Sequence, residues 1–87
     1  MSKLKIFTFD DLVFTPHTVV PGGKKAYMEF PNGTNVSVVG GGQGIYGDGK
    51  KTFEVWYSDE DEPRGWVNIE EMNEEFSRRS FRLDGLI

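Results

Sequence analysis

Residues 24–39 read Lys24-Lys25-Ala26-Tyr27-Met28-Glu29-Phe30-Pro31-Asn32-Gly33-Thr34-Asn35-Val36-Ser37-Val38-Val39, and this stretch decides the fold. Ala26, Met28 and Phe30 alternate with Tyr27 and Glu29, the two-residue period of a strand with one face buried. Val36 and Val38 repeat the pattern after Asn32-Gly33. An Asn-Gly pair between two such runs is the strongest short hairpin signal, because a tight two-residue turn needs positive φ at both positions. Residues 24–39 therefore predict a β-hairpin.

Outward from the hairpin, Thr52–Tyr57 alternates in the same way. Phe53, Val55 and Tyr57 face one side, Glu54 and Trp56 the other. Between these strands, residues 40–49 contain six glycines, too many for regular structure. On the N-terminal side, Lys3–Phe9 carries strand formers, and Leu12-Val13-Phe14 reads as a second short extended piece. Pro16, Pro21, Gly22 and Gly23 mark an irregular connection. Residues 58–65 form a charged turn, and Trp66-Val67 extends briefly. Asn68 with Glu71 makes a capping box, and Ile69, Met72 and Phe76 form an apolar stripe. Glu70 and Glu71 near the start and Arg78 and Arg79 near the end suit the helix dipole. A helix from Asn68 to about Arg79 follows. The expected fold is a single α+β domain over 1–87: a small antiparallel sheet of four to five strands, with one C-terminal helix packed on a face. The apolar tail, with Leu83, Leu86 and Ile87, is expected to dock on the core, on a sheet edge or on a second copy.

The counts exclude several function classes. The 87 residues hold no Cys and one His, His17. Disulfide scaffolds, thiol nucleophiles and cysteine zinc sites are ruled out. No catalytic constellation surrounds His17, so no enzyme, cofactor or metal is expected. No apolar run reaches the roughly 18 residues of a membrane span, and no signal peptide is evident. Net charge is −4. No basic face is expected, so direct nucleic-acid binding is not. Lys24-Lys25 and Lys50-Lys51 with Tyr27 and Tyr57 would give only a small platform for bases.

Three features carry candidate sites. Gly42-Gln43-Gly44-Ile45-Tyr46-Gly47 spells G-x-G-x-x-G, but a strand follows it where a dinucleotide loop needs a helix. The loop is either a connection or a binding loop with Ile45 and Tyr46 at its tip. Gly42, Gly44 and Gly47 are its ligand-binding candidates. Asp59-Glu60-Asp61-Glu62 is a solvated turn or, with Glu70, Glu71, Glu74 and Glu75, part of an acidic face. Trp56 is an interface anchor if its sheet face is open and a core residue if the helix covers it. Tyr46, Trp56 and Trp66 lack an inward assignment among the twelve aromatics.

Phe14-Thr15-Pro16-His17, the strand Ala26–Phe30 with Asn32-Gly33, Val36-Ser37-Val38-Val39 and Tyr46-Gly47 together resemble a group of small, mostly uncharacterised bacteriophage proteins. The likeness spans about residues 12–76, with Thr34-Asn35 where that group has Tyr-Gly. It implies a phage origin and a host-cytoplasm setting, and supplies no functional residues. The expected function is a non-enzymatic phage accessory protein. It would bind and inhibit a host protein, a defence or transcription factor, through Tyr46, Trp56, Trp66 and the helix acids. The alternative is a nucleotide-like ligand held by the glycine loop at a homo-oligomer interface. A third reading is a minor virion component.

Overall fold

In a computed structural model, which describes residues 6–80, five strands form one antiparallel sheet. They are β1 (Thr15–Pro16), β2 (Lys24–Glu29), β3 (Asn35–Gly40), β4 (Thr52–Tyr57) and β5 (Arg64–Asn68), in spatial order 1-2-3-4-5. Helix α1 (Ile69–Arg79) follows β5 directly. This is the expected small α+β fold.

Register sorts the side chains. Ala26, Val38 and Val55 form one row across β2, β3 and β4, and Met28, Val36 and Tyr57 form the next. These rows belong to the face covered by α1, whose Met72 and Phe76 are fully buried. The tail and its Leu83, Leu86 and Ile87 lie outside the described residues.

Two aromatic groups build the core. Phe14 stacks on Phe53 at 5.4 Å, with Phe9 at 5.2 Å from Phe53. Phe30 sits 5.2 Å from Phe76, which meets Tyr57 edge-on at 6.3 Å. The Tyr57 hydroxyl is buried without a hydrogen-bond partner among the described residues. Burial pushes its phenol well above the usual range, with the nearby Arg79 pulling part of the way back. A buried hydroxyl that has lost its water and gained no partner destabilises. Tyr57→Phe is therefore expected to raise stability by up to about 1 kcal/mol in a urea titration.

Three local expectations are corrected. Residues 6–8 are not a strand, and Phe9–Asp11 is a 3₁₀ turn in which the Asp11 carboxylate accepts from the Thr8 amide at 2.9 Å. The aspartates that break the strand pattern fold back on the chain, and Phe7 and Phe9 pack on the core from this segment. Leu12–Phe14 is not a strand either; pairing begins at Thr15, opposite Lys25. The hairpin turn is longer than two residues. Gly33 N–H donates to Phe30 O at 3.1 Å and Phe30 N–H to Thr34 O at 2.8 Å. Only Gly33 has positive φ, at 93°. Pro31 is the reason: its ring holds φ near −65°, which suits the second position of a type I turn and moves the turn one residue back. Gly33 then forms the left-handed bulge that closes a three-residue loop.

The helix obeys its caps. Asn68 Oδ1 accepts from Glu71 N–H at 2.8 Å. At the other end Ser80 Oγ donates to Phe76 O at 2.7 Å and accepts from Phe7 N–H at 2.8 Å. Asn73 accepts from Phe9 N–H at 2.8 Å. The helix thereby ties down the N-terminal segment.

Candidate functional site

The sheet face away from α1 carries Lys25, Tyr27 and Glu29 on β2, Asn35, Ser37 and Val39 on β3, and Glu54 and Trp56 on β4. No described element covers it. Tyr27, Ser37 and Trp56 form one cross-strand row, with Tyr27 59% and Trp56 49% exposed. The question of which face holds Trp56 is resolved by this register: it lies on the open one. Its indole N–H donates to Glu60 O at 3.1 Å, which fixes the ring while leaving one side accessible.

Trp66 and Tyr46 adjoin this face through a bulge. Phe53 pairs with Val67 and Val55 with Arg64, so Gly65 and Trp66 together oppose Glu54. Trp66 sits at φ 55°, the only non-glycine among the described residues with positive φ. A bulky side chain pays strain for that conformation, and such strain is concentrated where a side chain is being aimed. The surrounding contacts hold it there. Trp66 N–H donates to Tyr46 O at 2.8 Å, and Tyr46 N–H donates to the Glu54 carboxylate at 3.0 Å. The Tyr46 and Trp66 rings lie 6.5 Å apart, 62% and 60% exposed. Gly65 has no room for a side chain, since a Cβ there would come 2.8 Å from Tyr46 Cβ.

The glycine loop is tightly packed. Gly41 N–H donates to Gly47 O, Ile45 N–H to Gly42 O, and Gly49 N–H to Thr52 O. Asp48 Oδ1 accepts from the amides of Lys50, Lys51 and Thr52 at 2.8–2.9 Å. Successive amides around an anion are the geometry of a phosphate nest, and here the chain's own carboxylate fills it. Gly42, Gly44 and Gly47 stand near one another, but Gly42 and Gly47 are small because Val20 and the Phe53 backbone press on them. The backbone bonds from Thr52, Lys50 and Lys51 hold the Asp48 carboxyl well below the usual carboxylate range. As the pH falls below the unfolded value near 4 the stability this carboxylate contributes shrinks progressively, while in the folded loop it stays ionised and keeps its amide bonds until strong acid. The amide resonances of Lys50, Lys51 and Thr52 are expected to hold steady in an NMR titration down to about pH 3. Asp48→Ala should move all three at neutral pH.

The acids do not form one surface with the aromatics. Glu70 and Glu74 are exposed on the side of α1 opposite the buried Met72 and Phe76, and hence away from the open sheet face. Glu71 caps the helix. Glu75 pairs with Arg79 and, at 3.7 Å and 3.5 Å, with Arg64 and Arg78. Arg79 is 7% exposed, reaches Asp59 at 3.0 Å and lies 3.9 Å over the Tyr57 ring. Burial works against its charge, and the Glu75 and Asp59 carboxylates more than offset this, holding it above its ordinary value. Arg64 pairs with Glu60. Asp59 and Glu60 thus clamp the turn to the helix end, and the acidity visible in sequence is partly consumed inside the fold.

Other candidates disperse. Lys24 lies over the Phe14 ring at 4.8 Å, Tyr57 is buried, and β2 does not neighbour β4, so the lysine–tyrosine platform does not assemble. His17 Nδ1 accepts from the amides of Val19 and Val20 at 3.1 Å, a local turn cap. Among the described residues no group of three His, Asp or Glu could hold a metal ion, and no helix is long and apolar enough to cross a membrane. Tyr27 is the site residue that the sequence pattern placed only in the lysine–tyrosine platform and not among the anchors. Its signal was present: it alternates with Ala26 and Met28 and pairs across the hairpin into the row of Trp56. Comparison with protein-family models, with curated proteins and with solved structures returned no match.

Proposed function

We propose that this is a non-enzymatic binding protein that engages a partner protein through the open sheet face, with Tyr27, Trp56, Trp66 and Tyr46 as anchors. The carrying observation is Trp66: an exposed tryptophan held at positive φ by a bulge, beside an exposed tyrosine. Rigid, half-exposed aromatics lose little entropy when a partner covers them, and Trp and Tyr dominate interface hot spots. The setting implied by the phage resemblance is a host cytoplasm, with inhibition of a host defence or transcription factor as the outcome. The helix acids contribute steering from another side, not contact at the aromatic face.

The test is retention of partners from host lysate on the immobilised protein. Trp56→Ala and Tyr27→Ala are expected to remove the same retained protein, whereas Glu70→Lys with Glu74→Lys weakens it only at low salt. Retention unaffected by both aromatic changes would sink the reading. Trp66→Gly separates stability from binding. It relieves the left-handed strain and is expected to raise stability by about 1 kcal/mol while losing the partner.

A further inference from the structure

Toward the β1 edge the open face is hollowed into a half-open groove of about 370 Å³. Val39 and the Tyr27 ring supply apolar surface, Thr15, Thr18 and Ser37 supply hydroxyls, and Lys25 and His17 are the only ionisable lining groups besides the tyrosine. No carboxylate lines it. Lys25 makes no ion pair among the described residues, and on its sheet face Glu54 is two strands away, its carboxylate engaged by Tyr46 N–H. His17 adds a second donor. Because Nδ1 accepts two backbone amides, the neutral ring carries its proton on Nε2. The groove therefore combines an ammonium, an imidazole N–H and the hydroxyls of Thr15, Thr18 and Ser37 around an aromatic face. Its volume falls at the low end of small-molecule sites, about 300–1,000 Å³.

We propose that this groove binds a small aromatic anion, a single ring system bearing one phosphate or carboxylate. The anion is held by Lys25 and His17 and the ring lies against Tyr27. The site is distinct from the glycine loop and from the nest that follows it, where Asp48 fills the amides of Lys50, Lys51 and Thr52. It does not rest on the partner-binding reading.

The experiment is an NMR titration of the whole chain with phenyl phosphate, with benzoate as the carboxylate arm and phenol and inorganic phosphate as single-group controls. Saturable shifts at Thr15, His17, Lys25 and Ser37 are expected at millimolar ligand, as for other fragments of this size. Either control alone should bind at least about tenfold more weakly. The relative strength of phenyl phosphate and benzoate identifies the preferred anion. Lys25→Glu should cost at least about tenfold, and Ser37→Leu, which fills the floor without changing charge, a similar factor. Trp56→Ala should leave binding unchanged, which keeps this test separate from the partner assay. Both groove residues lie off the buried face, and a native spectrum of the free variants confirms their fold. Shifts confined to the glycine loop, undiminished binding by folded Lys25→Glu or Ser37→Leu, or no saturation by about 20 mM of either ring anion would overturn the proposal.

Discussion

Phe76→Ala is expected to remove about 3–5 kcal/mol of stability, measured by urea or thermal unfolding. Phe76 is fully buried and meets both Phe30 and Tyr57, so one truncation opens a void between helix and sheet. A domain of this length holds only roughly 5–10 kcal/mol in all. About half of that would be lost, and the melting temperature should fall by more than about 12 °C. The void also loosens the ring of Tyr57 and, with it, the seat of Arg79. Phe76→Leu, which keeps most of the apolar volume, should recover much of the loss. If Phe76→Ala melted within a few degrees of the parent, the helix would not be a structural layer of this fold.

Gly47→Ala is the second large effect. A Cβ at Gly47 would stand 2.5 Å from Phe53 Cα and 2.7 Å from its carbonyl carbon. Those atoms belong to the backbone of a central strand and cannot swing aside. The Gly47 φ is not in the left-handed region, so the cost is purely steric. A loss of about 2–3 kcal/mol is expected. Gly44→Ala is the contrast: its Cβ would meet nothing, but φ is +86°, and the strain costs only about 1 kcal/mol. Equal losses at the two positions in thermal melts would mean that the loop is not pressed against β4.

These two residues also show how far the sequence could be read. Phe76 was legible because burial on a helix imprints a three-and-four spacing on the chain, and Asn68 with Glu71 announced where that spacing begins. Strand alternation likewise put Tyr57 and Trp56 on opposite faces, but which of the two faces the helix covers was not written in that strand. Gly47 was legible only as a permissive residue, since a glycine required by a neighbour's backbone looks the same as one required by a turn. Trp66 was legible as unassigned but not as strained, because a bulge depends on how two distant segments fall out of step. The pairing of Asp59 with Arg79, twenty residues on, was hidden for a similar reason, whereas Glu60 and Arg64 pair within a single turn. Charges are local in sequence, but their neutralisation depends on where the helix end comes to rest. Pro31 was available and decisive, and its fixed φ should outrank the Asn-Gly signal beside it.

The strand order has a kinetic consequence. Every sheet contact in the meander joins segments adjacent along the chain, so each new strand can pair as soon as it emerges. The hairpin of β2 and β3 needs to close only a three-residue loop. The N-terminal segment is different. Its Phe7 amide waits for Ser80 and its Phe9 amide for Asn73, partners 73 and 64 residues downstream. Phe7 and Phe9 are therefore made before the strands and fixed after them. A nascent chain would carry Phe7, Phe9 and part of its core exposed until the helix is complete, and only then bury them in one late docking step.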